Sequence, residues 1–136
     1  MAQKIKLLAL LCFICNLTAC QLISPIFVDY NGVRMDVAKW INQQPLLSMQ
    51  QKRSLVQLSK AQQKLYPIEN LSEAQKLEIA QENSIALHCA GLYLSQNKIE
   101  QLQNRIFGDA EKQQILARYK QQFPKVKLDS RSIECE

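Results

Sequence analysis

Glycine is what this chain most lacks: Gly32, Gly91 and Gly108 are the only three in 136 residues. Hairpin-rich β architecture needs residues at positive φ in turn after turn, and three glycines do not supply them. Pro25, Pro45, Pro67 and Pro124 punctuate the remainder, and between them apolar residues recur at helical spacing. The pattern predicts an all-α fold: a small antiparallel helical bundle of about four helices joined by short connections.

The first helix is expected over 35–43, with Val37, Trp40 and Ile41 on one stripe. Pro45 suits a helix start, where its missing N–H is not needed, so a second helix is expected over 46–66. Leu47, Leu55, Leu58 and Leu65 share one face of it, and Lys52, Arg53, Lys60 and Lys64 lie mainly off that face. Pro67 closes it by pushing Tyr66 out of helical geometry. The third helix opens on a capping pair, Asn70 with Glu73 or, two residues on, Ser72 with Gln75. Its second half, 85–94, is nearly all apolar and is predicted to be the most buried stretch. Ala86, Ala90 and Gly91 there are small enough to let another helix approach closely. Asn97 and Glu100 open the fourth helix, whose core stripe is Ile99, Leu102 and Ile106. Gly108-Asp109 breaks or kinks it, with Asp109 capping a continuation to about Gln122 that carries Leu116, Tyr119 and, just beyond, Phe123. Residues 125–136 form a polar tail, loose unless Cys135 pins it.

The amino-terminal stretch has a different character. Lys4 and Lys6 precede the apolar run 7–17, and small Thr18 and Ala19 lead to Cys20. This is the three-part layout of a secretory signal, and the run is shorter than the roughly 20 residues that cross a bilayer. Leu17-Thr18-Ala19-Cys20 resembles the lipobox of bacterial lipoproteins: an aliphatic residue, a small or β-branched one, Ala, Gly or Ser, then Cys. Cys12 and Cys15 fit poorly, because Leu11 and Ile14 would occupy the small-residue subsite. The resemblance implies signal cleavage between Ala19 and Cys20 and lipidation of Cys20. In many Gram-negative bacteria the family carries a diacylglyceryl group and an amide-linked acyl chain such as palmitate. Two or more chains hold a protein to a membrane where one does so only marginally. Gln21, standing where Asp tends to retain enterobacterial lipoproteins in the inner membrane, favours the periplasmic face of the outer membrane, with the inner membrane as the alternative. The chain then divides into a signal peptide (1–19), a lipidated N-terminus and tether (20–33), a helical domain (34–124) and a C-terminal tail (125–136).

Cleavage before Cys20 leaves 117 of the 136 residues, enough for one small domain. Losing Lys4 and Lys6 lowers the net charge from +5 to +3. That excess is spread out, without the dense basic stripe and stacking aromatics of a nucleic-acid surface. Cys89 and Cys135 remain as thiols, an even pair suited to a disulfide in an oxidising periplasm. Such a bond closes a loop of about 46 residues, for roughly 4 kcal/mol on chain-entropy reasoning. The other reading is one buried thiol and one free thiol on a frayed tail. Two cysteines so far apart do not suggest a metal site.

Chemistry is sparse. His88 is the only histidine and its sequence neighbours are apolar, so a satisfied core histidine is expected rather than a catalytic one. No nucleophile–base order, phosphate-cradling glycine loop, metal-ligand spacing or paired carboxylates stand out. The sequence points to no enzyme, to no cofactor besides the covalent lipid on Cys20, and to no evident small-molecule substrate. Leu71-Ser72-Glu73-Ala74-Gln75 resembles the Leu-Thr-x-x-Gln motif of the Spy and CpxP family of periplasmic helical chaperones, with Ser for Thr. Leu58-Ser59-Lys60-Ala61-Gln62 is a second near-match. The resemblance implies a cradle-shaped helical dimer holding unfolded or stress-related clients; a capping box predicts the same Ser-x-x-Gln pattern. Glutamine pairs such as Gln50-Gln51, Gln62-Gln63 and Gln121-Gln122 read as solvated helix surface. Two functional expectations follow: a membrane-anchored accessory subunit or adaptor that works by protein contacts in the cell envelope, or a periplasmic chaperone or stress protein.

Overall fold

A computed structural model describes residues 29–66 and 69–136. The lipobox-like stretch with Ala19 and Cys20 lies outside the described residues, as does the start of the expected tether. Within them the fold is all-α, as expected. The helices are α1 (Met35–Asn42), α2 (Met49–Gln63), α3 (Glu73–Tyr93), α4 (Gln96–Phe107) and α5 (Lys112–Gln122), followed by a 3₁₀ turn at Ser130–Ser132. Among the described residues five helices stand where about four were expected, because Gly108 takes φ +77° and separates α4 from α5.

Serines set the starts of α2, α3 and α4. Ser48 accepts from the Gln51 backbone N–H while Gln51 Oε1 accepts from Ser48 N–H at 2.9 Å, so α2 begins three residues later than the proline suggested. Ser72 and Gln75 close the same reciprocal box on α3. The competing Asn70–Glu73 pair is not used, since Asn70 sits at φ +70° in the turn before the helix. Ser95 caps α4 by accepting from Lys98 N–H. The expected Asn97 cap is displaced, and Asn97 Oδ1 instead accepts from Gln101 inside the helix at 2.6 Å. Asp109 does not cap α5, which starts from Glu111 without a side-chain cap.

The register of the bundle follows from its long-range hydrogen bonds. Gln51 Nε2, at the start of α2, donates to the Tyr93 carbonyl at the end of α3, and Lys64 just past α2 pairs with Glu82 in mid-α3. These helices are therefore antiparallel. Lys52 Nζ donates to the Asn42 carbonyl and Arg34 N–H to Gln63 Oε1, which sets α1 antiparallel to α2. Lys98 reaches back to Gln44, and Arg34 to the carbonyls of Arg105 and Ile106, so α4 also runs against α1.

The central helix is α2, not the 85–94 stretch. Eight of its fifteen residues are buried: Lys52, Ser54, Leu55, Val56, Leu58, Ser59, Ala61 and Gln62. It packs between α1, α3 and α4, so even polar positions are enclosed. Lys52, expected off the core face, is buried because its stem lies inside while Nζ reaches the Asn42 carbonyl at 3.1 Å. On α3, Ala86 and Ala90 are buried as expected, but Gly91, Leu92 and Tyr93 are exposed. A β-carbon at Gly91 would meet nothing within 4 Å, so that glycine serves no close approach. Ala90 and Leu94 take the core-facing positions of this last turn, so Gly91, Leu92 and Tyr93 between them fall on its outer face. Leu55, Leu58, Leu65 and Leu102 are fully enclosed, each worth about 1.5–3 kcal/mol of burial.

Candidate functional site

Cys89 and Cys135 come together at disulfide distance, Cα–Cα 5.6 Å. The tail is laid down in steps. Phe123 is buried, and Val126 packs with it against Ala80 beside Leu71. Asp129 caps the 3₁₀ turn by accepting from Arg131 N–H. Beyond Cys135, the Glu136 carbonyl accepts from Gln50 Nε2 at 2.7 Å, and its carboxylate stands 3.8 Å from Lys60 Nζ. That ion pair is long and half-exposed, so it contributes little. The cysteine pair and the Gln50 hydrogen bond hold the tail across α2 and α3.

The two ends of the bundle differ. At the proximal end, where the chain leads into α1, Asn31-Gly32 makes a turn: Val33 N–H donates to the Tyr30 carbonyl at 3.0 Å, with Gly32 at φ +78°. Gln63 then holds the backbone on both sides, donating to the Gly32 carbonyl at 3.0 Å and accepting from Arg34 N–H at 2.8 Å. The Arg34 guanidinium caps α4 from outside, donating to the Ile106 carbonyl at 3.1 Å and the Arg105 carbonyl at 2.9 Å. Those are carbonyls a helix leaves without partners, at the negative end of its dipole. Asp36 in turn binds Arg34 Nε at 2.6 Å. The hydrogen bond to Arg34 holds the Asp36 carboxyl below its ordinary value, and the same bond raises Arg34. Tyr66 donates to Glu111 at 3.0 Å, and that bond raises the phenol.

The distal end carries the α1–α2 loop, the start of α2 and the α3–α4 corner. Lys98 Nζ donates to Gln44 Oε1 at 3.1 Å and lies 5.6 Å above the Trp40 ring. Four apolar side chains there remain in water: Leu46 at 95 % exposure, Leu92 at 60 %, Tyr93 at 40 % and Met49 at 38 %. Sequence periodicity placed Leu92 and Tyr93 in the core. A run that is apolar all round carried no sign of which face of α3 turns to the core, and that face is Ala86, Ala90 and Leu94.

Of the remaining sequence candidates, His88 is half-buried on α3 and makes no side-chain hydrogen bond among the described residues. No group of three or more His, Cys, Asp or Glu converges there. The two pentapeptides take different roles. Ser72 and Gln75 form a helix cap, whereas Ser59 lies mid-helix donating to the Leu55 carbonyl at 2.7 Å and Gln62 is buried. Gln62 thus departs from the solvated glutamine surface. Among the described residues no helix is long and apolar enough to cross a membrane. The fold and its pinned tail define a small all-α bundle, and no protein family, curated protein or solved structure matches the chain.

Proposed function

We propose that this chain is a lipid-anchored protein of the bacterial cell envelope that acts without catalysis, through protein contacts made at its distal end. The lipobox Leu17-Thr18-Ala19-Cys20 supports the anchor, and Gln21 supports the outer membrane. The Cys89–Cys135 pair at disulfide distance is in keeping with an oxidising compartment. One observation carries the contact reading: Leu46, Met49, Leu92 and Tyr93 are exposed at the end opposite the tether. Apolar side chains gathered at one end in water mark an interaction surface more often than isolated ones do. The fifteen residues of α2 place roughly 22 Å of helix between the tether side and that surface. An adaptor or accessory subunit with this layout reaches a partner in the periplasm while its lipid stays in the membrane.

Two measurements test this. Labelled fatty acid enters the wild type and not Cys20→Ala; equal labelling of both removes the anchor. A photo-crosslinking residue at position 92, in the intact envelope, gives one discrete adduct that the same group at exposed Leu77 does not give. Equal adducts at both positions remove the distal surface. Suppression of client aggregation by the purified protein would turn the reading toward the chaperone alternative.

A further inference from the structure

The basic excess that reads as spread along the whole sequence is divided unevenly by the fold. Fifteen basic and twelve acidic residues fall among the described ones, a net charge of +3. Between Glu111 and Asp129 stand five of the basic residues, Lys112, Arg118, Lys120, Lys125 and Lys127, and no acid. That segment alone carries +5, which leaves −2 for the rest. None of its five takes part in an ion pair among the described residues, whereas five other basic residues each stand beside a carboxylate. Cations gathered without partners repel one another, and an opposing anionic surface turns that cost into attraction.

Packing turns these charges outward. In α5 Ile115 is buried and Leu116 and Tyr119 are half-buried, so exposed Gln114, Ala117 and Gln121 form the opposite side of the helix. Arg118 and Lys120 flank that outer strip on its two edges. Beyond Phe123 the chain leaves the helix and its side chains alternate, Val126 and Leu128 half-buried, Lys125 and Lys127 exposed. α5 begins beside the Tyr66–Glu111 bond and ends where Phe123 packs on Ala80 near Leu71. It therefore lies across the proximal half of the bundle, the half at which the chain enters α1. Met35 and Leu77 are exposed at the same end. By contrast, 40–51 and 83–97, which supply most of the distal end, contain no Asp, Glu, Lys or Arg.

We infer that the outer side of α5 and the start of the tail dock on a bilayer surface of anionic glycerophospholipid. The lipid phosphates stand opposite the five cations, the glutamine strip meets polar head groups, and Met35 and Leu77 face the membrane. A basic strip with apolar side chains beside it fits a membrane interface better than an acidic protein, which would match the charge alone. The contact rests on the proposed lipid anchor, which brings this end to the membrane, and it points the uncharged distal end away.

The test uses the whole protein as recovered from the cell, placed in vesicles of phosphatidylcholine or of an equimolar mixture with phosphatidylglycerol. Both contain a trace of lipid spin-labelled at its head group, and a fluorescent residue replaces Gln121 or Leu92. Quenching is expected at position 121 in the mixed vesicles, with little in phosphatidylcholine or at position 92, and it should weaken at high salt. Each basic residue near an anionic lipid surface is worth roughly fivefold. Lys120→Gln/Lys125→Gln/Lys127→Gln, changed only at exposed positions, should therefore lower the docked-to-free ratio about a hundredfold. Lys39→Gln/Arg53→Gln, two exposed basic residues on α1 and α2, should leave it unchanged. Equal quenching in the two vesicles, or at the two positions, overturns the docking surface. So does a triple variant that quenches like the wild type, or no quenching at position 121, the outcome expected of an acidic protein partner. Failure of the anchor is read separately: protein that takes up no labelled fatty acid, added to preformed vesicles, should still show the phosphatidylglycerol dependence.

Discussion

The proximal and distal ends of this bundle are built from the same helices and closed by different means. At the proximal end three elements meet on two side chains: Gln63 holds the chain before α1, and Arg34 ties α1 to the last carbonyls of α4. Even exposed Tyr66 has its hydroxyl engaged by Glu111. At the distal end polar groups fix the backbone, through the Ser48–Gln51 box and the Gln51–Tyr93 bond, while apolar side chains stay in water. The first arrangement satisfies groups that would otherwise be orphaned. The second leaves the apolar area of Leu46, Met49, Leu92 and Tyr93 in water. The proximal end also leaves Met35 at 69 % and Leu77 at 44 % exposure, so the ends differ chiefly in how their backbone groups are held, and the tail pinned at Cys89 lies nearer the distal one.

The largest effect should come from releasing that tail. Cys135→Ser frees a chain end otherwise tied to α3 at 46 residues' separation, and is expected to lower unfolding stability by about 4 kcal/mol. Urea unfolding of the oxidised wild type, the reduced wild type and the variant checks this. The reduced protein and Cys135→Ser should agree. Equal stability in all three would mean that the Gln50–Glu136 contact and Val126 packing hold the tail by themselves, and that the two ends do not differ in this respect.

How far these ends could be read from the sequence depends on the range of the interactions. The helices were legible because their causes are local: apolar spacing, prolines and Ser-x-x-Gln pairs, with Ser72–Gln75 offered as the alternative to Asn70–Glu73. Where two local signals competed, the start shifted by a few residues, as when Ser48 prevailed over Pro45 and Ser95 over Asn97. The Cys89–Cys135 pairing was one of two readings open once Cys12, Cys15 and Cys20 were assigned to the expected signal and anchor. Arg34 could not be found, since its partners lie 71 and 72 residues away and are backbone carbonyls without residue identity. Gln62 and Asn83 were hidden for the same reason, as polar residues whose burial is set by neighbouring helices. The apolar run at 85–94 misled because hydrophobicity states what a residue prefers, not what is present to cover it.

Arg34→Met tests the closed end, with an intermediate effect. It removes two charge-assisted bonds to helix-terminal carbonyls, in a half-exposed setting, for an expected loss of about 1–2 kcal/mol in chemical unfolding. Hydrogen exchange should rise at the end of α4 and not at the α3–α4 corner. Acid should act on the same clamp. Asp36 is held below its unfolded value by Arg34, so its contribution is present above about pH 3.9 and is lost as pH falls through the lower folded value. Arg34 stays charged throughout. With both side chains nearly half exposed, the acid-sensitive part should stay under about 1 kcal/mol, and Arg34→Met should lack it. A variant that keeps the full acid dependence would place its origin elsewhere.

The smallest effect on stability is expected where the contact reading is strongest. Leu92→Ser with Tyr93→Ser removes two apolar side chains that are 60 % and 40 % exposed. The Gln51 bond goes to the Tyr93 backbone carbonyl, which any residue keeps. Unfolding stability should therefore stay within about 0.5 kcal/mol of the wild type, while the discrete adduct from a crosslinker at Met49 disappears. A loss above about 2 kcal/mol would mean that these side chains belong to the fold, and the contrast between the ends would then be one of packing rather than of purpose. Stability retained together with crosslinking lost separates the two, because a residue kept for contact alone is one the isolated domain does not need.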